Sequence, residues 1–267
     1  MKVKLLGTAA AEGFPAIFCH CEHCIKAKEL GGKNIRTRSS AVIDGDLKID
    51  FPPDSYMDVL WKGLSVSTFK HLVFTHTHHD HFHPEDINMR APIFSHEIDY
   101  PLYIYGNETA IEKCENILDQ EHFQLKVFKP FQTYVVGNAR ITPLPADHKP
   151  DEESFIYLIE KSGKVCLYGN DTGYFPEETF NWLRDKTIDI AILDCTHGLI
   201  DSMKNHMNIE AVKKIKAQFD KNGTFHKDSK VIATHFSHNI GLMHQDLEEL
   251  LHPYGIDVAY DGMEIKL

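Results

Sequence analysis

The sequence predicts an α/β protein in which two β-sheets carry helices on their outer faces. Three observations lead there. Short apolar runs rich in β-branched residues recur along the chain, each bounded by Gly, Pro or Asp. Strand-like pairs come first, and later strands are mixed with amphipathic helical segments. The composition, 42% hydrophobic and 25% charged over 267 residues, supports a sizeable buried core.

Val3–Leu6, in an alternating Lys/Leu context too short for a signal peptide, reads as an edge or first strand. A helix over Cys24–Leu30 closes at Gly31-Gly32, a C-terminal stop. Ser40–Ile43 and Leu47–Phe51 read as paired strands, followed by strands at His71–Thr75 and Leu102–Tyr105. Glu108–Gln120 places Ile111, Cys114 and Leu118 on one helical face. Strands follow at Ile141–Leu144, Phe155–Glu160 and Val165–Tyr168, then a helix at Pro176–Arg184 with proline in its first turn. After a strand at Ile188–Leu193, Asn208 caps a helix over Ile209–Lys221, whose stripe is Ile209, Val212, Ile215 and Phe219. A strand at Lys230–Thr234, a helix at Leu242–Leu251 ending before Pro253, and a strand at Asp257–Tyr260 complete the reading. No repeat, low-complexity tract or charge run divides the chain, so residues 1–267 are expected to form one domain.

Lys plus Arg number 28 and Asp plus Glu 39, a formal charge of −11. That surface repels nucleic acid and anionic membranes, and no apolar stretch reaches the ~18 to 20 residues of a membrane span. A small-molecule substrate, no nucleic-acid partner, no membrane and a cytoplasmic, reducing location are the expectations. Oligomeric state is left open, a homodimer being the commonest outcome. There are 18 histidines, many in short clusters, and six cysteines. In a reducing compartment, clustered cysteines point to metal or redox chemistry rather than to disulfides.

The strongest signal follows the His71–Thr75 strand: Thr75-His76-Thr77-His78-His79-Asp80-His81-Phe82-His83-Pro84. Alternation puts His76 and His78 on one side, and Asp80 and His81 arrive through a turn. Neutral imidazole and carboxylate hold Zn, Mn or Fe(II) at ~2.0 to 2.2 Å. Two ions ~3.5 to 4 Å apart can share a hydroxide, lower its pKa and clamp an ester oxygen. A pair of ions needs more ligands than one segment supplies. His148, Asp171 and His235 each stand just past a strand, and together they complete the count.

His76-x-His78-x-Asp80-His81, followed in order by His148, Asp171 and His235, resembles the metallo-β-lactamase superfamily. The resemblance implies an αββα sandwich of two mixed β-sheets flanked by helices, with the site at one edge. It also implies that His76, His78 and His148 hold one metal, that Asp80, His81 and His235 hold the other, and that Asp171 bridges them. The Asp-x-Gly turn common in that family is replaced here by Asp50-Phe51-Pro52-Pro53-Asp54. Asp50 can keep the role while the proline pair rigidifies the loop.

Cys19-His20-Cys21-Glu22-His23-Cys24 places three thiolates where they can wrap one structural Zn at ~2.3 Å, leaving one position for a distant ligand. His20 and His23 are awkwardly placed to chelate the same ion. His238, three residues beyond His235, is the better fourth ligand. A reactive thiol site and buried unliganded cysteines are the alternatives. Cys114, Cys166 and Cys195 lie on apolar elements and read as core residues. This zinc knuckle is expected as an insertion at about residues 18–32.

The run Gly7-Thr8 to Glu12-Gly13-x-Pro15-Ala16, the cysteine triplet, and Arg36-x-Arg38-Ser39-Ser40 together resemble the phosphoribosyl 1,2-cyclic phosphate phosphodiesterases. The B protein of pyrroloquinoline quinone biosynthesis shares the knuckle. The resemblance implies a structural Zn on Cys19, Cys21, Cys24 and His238, and an acid/base histidine in the late loop, at His206. A surface histidine at the start of a helix is its alternative. The expected reaction is hydrolysis of a small, cyclic or open phosphodiester by a metal-bridging hydroxide, with Asp80 orienting the nucleophile and His206 protonating the leaving alkoxide. Two divalent ions (Zn, Mn or Fe) and one structural Zn are the implied cofactors. Arg36, Arg38 and Lys149 serve either substrate phosphate or ordinary salt bridges. A thioester or lactam hydrolase, and a biosynthetic accessory protein, are the rival functions.

Overall fold

The computed structural model describes residues 1–118 and 121–267. Among the described residues, fourteen strands form two seven-stranded sheets. Along the chain the first sheet takes β1 (Lys2–Gly7), β2 (Ser40–Ile43), β3 (Leu47–Ile49), β4 (His71–Val73), β5 (Leu102–Gly106) and β6 (Phe123–Val127). The second takes β7 (Tyr134–Val136), β8 (Ala139–Pro145), β9 (Phe155–Lys161), β10 (Lys164–Gly169), β11 (Ile188–Asp194), β12 (Phe225–Thr234) and β13 (Ile256–Val258). The last strand, β14 (Glu264–Lys266), returns to the first sheet beside β1. β1 is therefore an inner strand between β14 and β2, not an edge.

Both sheets are mixed. In the first, β3 to β6 run parallel; in the second, β10 to β13 do. The remaining pairs are antiparallel. The seven residues of β11 are all buried, because the facing sheet covers one side and helices cover the other. Between the sheets lie Val3, Leu5, Ile43, Ile49, Tyr157, Ile159, Ile190, Ile192 and Ile232.

Helices α1 (Glu22–Leu30), α2 (Ser55–Trp61), α3 (Glu108–Ile117), α4 (Glu177–Leu183), α5 (Ile209–Asn222) and α6 (His244–Leu251) lie outside the sheets. α5 starts where the Asn208 side chain accepts from Ala211 N and ends at the left-handed Gly223. Its Ile209, Val212, Ile215 and Phe219 are buried against the second sheet. Each contributes ~1.5–3 kcal/mol relative to exposure, which fixes the preceding loop, 195–208, at one end of that sheet. α3 packs Ile111 and Cys114 on the first sheet. The last positions of the expected Glu108–Gln120 helix, 119 and 120, lie outside the described residues. α1 opens two residues before its expected start, because the Cys21 side chain caps it by accepting from Cys24 N. The expected strand Asp257–Tyr260 is found as β13, starting one residue earlier and ending two residues earlier, at Val258.

Candidate metal centre

The residues with chemistry sit just past the ends of strands that point to one edge of the sandwich. His76–His81 follow β4, His148 follows β8, Asp171 follows β10, Asp194 closes β11 and His235 follows β12. Ligand sites in open α/β sheets form there because parallel strands deliver their C-terminal loops to one side. The turns are tight: Asp50, Asp171, Asn205 and His235 all have φ between 55° and 63°, the left-handed region rare outside glycine.

Three overlapping donor groups converge on Asp171. His76, His78, His148 and Asp171 can close on one point, and Asp80, His81, Asp171 and His235 on a second, with Asp171 common to both. A third grouping, Asp171, Asp194, His206 and His235, extends from it. His78 Nδ1 lies 2.9 Å from both His76 Nε2 and His148 Nε2. Asp171 Oδ2 lies 2.7 Å from His81 Nε2, 3.3 Å from His76 Nε2 and 3.5 Å from His235 Nε2. Asp80 Oδ2 stands 3.2 Å from His81 Nε2.

The outward nitrogens of these imidazoles are tied down. His81 Nδ1 faces Asp50 Oδ2 at 2.7 Å, and Asp50 also accepts from Thr75 N. His235 Nδ1 meets Thr196 Oγ1 at 2.7 Å, His76 Nδ1 meets Thr75 Oγ1 at 3.0 Å, and His148 Nδ1 donates to Asn205 O at 3.0 Å. Such outer partners set tautomer and ring orientation for an inward lone pair. Asp50 thus keeps its place despite the proline pair.

The inward atoms fit divalent cations. His81 Nε2, His235 Nε2 and Asp171 Oδ1 are buried without a properly angled hydrogen-bond partner, although oppositely charged atoms lie close. His76 Nε2 and His148 Nε2 both crowd His78 Nδ1 at 2.9 Å, a convergence of ring nitrogens that suits a shared cation. Buried polar atoms without partners are costly, and a cation resolves the cost. Burial pushes His76 well below the usual imidazole range. Although burial opposes it, the surrounding imidazoles hold Asp171 and Asp80 below the ordinary carboxylate range, the state a ligand needs.

His206 stands at the rim with Nδ1 2.9 Å from Asp194 Oδ2 and 3.1 Å from Asp171 Oδ1. Burial disfavours its charge, but Asp194, Asp171 and Asp80 outweigh that and raise it to about 9. Asp194 also accepts from Met207 N at 2.9 Å and Thr196 Oγ1 at 3.0 Å, locking the late loop to the end of β11. Sequence reading missed Asp194. Its only signal was position: Asp194 stands at the end of the apolar run Ile188–Leu193, as the other site residues stand just past their strands.

The second cluster joins Cys19, Cys21, Cys24 and His238. His238 Nδ1 lies 3.7 Å from Cys21 Sγ and 3.5 Å from Cys24 Sγ. A zinc tetrahedron with Zn–S of ~2.3 Å and Zn–N of ~2.0 Å has edges of about 3.5 to 3.8 Å. Contact with His238 lowers Cys21 to about 6, and burial raises Cys24 to about 11. His20 and His23 are not in the cluster. Cys114, Cys166 and Cys195 are buried in three separate parts of the core.

The basic residues are spent elsewhere. Arg36 is 3% exposed and donates to Thr8 Oγ1 and Ala259 O while facing His244 Nδ1. Arg38 pairs with Asp54 at 2.9 Å and donates to Ala11 O. Lys149 pairs with Glu152 at 2.9 Å. A cleft of about 520 Å³ opens over the centre, lined by Asp80, His148, Asp171, His206 and His235 with residues of the N-terminal and late loops.

A family model described as "Beta-lactamase superfamily domain" matches residues 59–236, about two thirds of the chain, and the chain belongs to that family. The cysteine cluster and His238 fall outside the matched span. A diphosphatase from the PhnP family shares 23% identity and a TM-score of 0.77 over 100% of this chain and 97% of its own. Zn²⁺-bound PqqB from Methylobacterium extorquens shares 16% identity and a TM-score of 0.78 over 100% of both chains. At these identities the likeness establishes the fold. A curated octanoyltransferase from Porphyromonas gingivalis is 24% identical over 99% of this chain but only 51% of its own length, so the chain spans about half of that relative. Fold, family and donor set define the class: a metallo-β-lactamase-fold protein whose site carries a donor set suited to metal ions.

Proposed function

We propose that the chain hydrolyses a small phosphodiester, cyclic esters included. The observation that carries this is the convergence of seven donors beside a His206–Asp194 pair at the mouth of a cleft. His76, His78 and His148 would hold one cation, Asp80, His81 and His235 a second, and Asp171 both. Bound there, the cations supply Lewis-acid polarisation of phosphoryl oxygens and activation of water. Asp80 orients the attacking water and accepts its proton. As the new O–P bond forms and the ester P–O bond breaks, His206 passes a proton to the departing alkoxide. Asp194 acts through His206, holding the ring by Nδ1 so that Nε2 turns to the cleft. The diphosphatase among the similar structures supports phosphorus chemistry. Cys19, Cys21, Cys24 and His238 would hold a structural zinc that fixes the N-terminal loop.

The curated relative's name gives acyl transfer as a second reading, in which the same centre opens a thioester. The test is turnover of bis-p-nitrophenyl phosphate against an octanoyl thioester, with Mn²⁺ or Zn²⁺ added. Metal-dependent release of p-nitrophenol, abolished by chelator, is the expected result. Thioester cleavage with no phosphodiester turnover would replace the reading.

A further inference from the structure

Resting on the phosphodiesterase reading, we infer that the substrate carries no second phosphate away from the reacting phosphorus, and that Glu12 selects for a neutral hydroxyl-bearing or cationic distal group. The cleft is lined, beyond the metal-centre donors, by Glu12, His79, His197, Ile200, Ser237 and Asn239 among others, and among the described residues no Lys or Arg lines it. Phosphate monoesters are recognised by Arg or Lys forks, or by backbone donors at helix starts. The nearby cations are committed elsewhere. Arg38, 15% exposed, is neutralised by Asp54, and Lys149, 16% exposed, by Glu152. Lys204 is exposed on the late loop and does not line the cleft.

In place of a cation the wall carries a carboxylate. Glu12 is fixed there because Ser237 Oγ donates to its Oε1 at 2.5 Å, two residues beyond His235. Its Oε1 also stands 3.9 Å from His238 Nε2, and the carboxylate, 28% exposed, lines the cleft where a ligand hydroxyl or ammonium can donate to it. Ala10, Ala11 and Ile200 leave the adjoining wall apolar and Asn239 offers a neutral amide. The reacting phosphate is served by the metal centre. A distal dianion would meet Glu12 with no Lys or Arg to offset it and only the His79 and His197 rings beside it, at a cost that grows as the cleft excludes water. This wall is built against phosphoribosyl 1,2-cyclic phosphate, the substrate that the sequence resemblance implies.

The test compares kcat/KM of the metal-loaded protein on ribose 1,2-cyclic phosphate and on its 5-phosphate, with bis-p-nitrophenyl phosphate as reference, for wild type and Glu12→Gln. Wild type should favour the unphosphorylated ester by at least about tenfold, mostly in KM, and the variant should narrow that ratio by about tenfold, since its amide still accepts from Ser237 but carries no charge. The wild-type ratio should also shrink as ionic strength rises from ~0.01 to ~0.5 M, a readout that needs no variant. Equal or better use of the 5-phosphate by wild type, or a ratio indifferent to both salt and substitution, overturns the inference while phosphodiesterase activity stands. Absence of turnover on all three esters overturns the phosphodiesterase reading and the inference with it.

Discussion

His206 and Asp194 concentrate the chemistry that belongs to single side chains. The ring is held through Nδ1, so replacing it removes a proton carrier without removing any of the seven converging donors. His206→Ala should lower kcat by ~10²- to 10⁴-fold, the usual worth of a positioned acid, while elemental analysis still finds the wild-type metal content. Unchanged kcat would take His206 out of the mechanism, and loss of a metal ion would recast it as a ligand. Most of this site is legible residue by residue, because His76, His78, Asp80 and His81 crowd six positions after an apolar strand. Asp194 and Glu12 are not legible in the same way. A single acid after a strand or in a Gly/Ala-rich loop gains meaning only when the fold brings His206 or Ser237 to it.

Elements set how finely those side chains can be aimed. Gly173 lies two residues past Asp171, where a Cβ would stand 2.3 Å from Asp147 Oδ2, 2.6 Å from Met203 O and 2.8 Å from Asn205 N. The β10 loop and the late loop therefore touch through a gap only glycine fits. Gly173→Ala should cost roughly 1–3 kcal/mol of stability and displace the loop that carries His206. The expected outcome is a lower melting temperature together with a kcat reduced by at least about tenfold. Normal kcat in a folded variant would mean that this contact does not position His206. At this scale the strands with long apolar runs, such as β9 and β11, are plain in the sequence. β6, β7, β14 and α2 are not: β6 alternates with charged and polar residues, β7 and β14 are three residues long, and α2 leaves Tyr56, Leu60 and Trp61 exposed. Their conformations are decided by pairing with neighbours rather than by local pattern.

Across the whole molecule, the N-terminal loops, α6 and the β13–β14 segment are locked together by Arg36 and His244. His244 is 5% exposed, accepts from Arg36 at Nδ1 and donates from Nε2 to Glu248 at 2.9 Å, an arrangement that requires the neutral ring. Burial, then the Arg36 and Lys33 charges, depress it from 6.5 to about 4, against the pull of Glu248. Between those two values the unfolded chain binds a proton that the folded chain refuses. Stability should therefore fall as pH drops from about 6.5 to 4, by at most about 3 kcal/mol from this residue, and be insensitive to it above 7. Denaturant titrations of wild type and His244→Gln check this: the variant should show a flatter acid limb, and parallel curves would contradict the assignment. No helix among the described residues is long and apolar enough to cross a membrane. The two-sheet architecture was readable from the order of strands and helices. Which strand enters which sheet was not, because the β14 return and the inner position of β1 depend on long-range pairing.

The central claim is that donors scattered from residue 76 to residue 235 hold a pair of cations, with a third ion on the cysteine cluster. Metal content by elemental analysis, on protein purified without chelator and then dialysed against it, tests this most directly. About three ions per chain before dialysis is predicted. Two should be lost readily together with hydrolytic activity, and the third should be retained until Cys24 is replaced by Ser. Full activity in a protein holding less than one ion per chain would contradict the account.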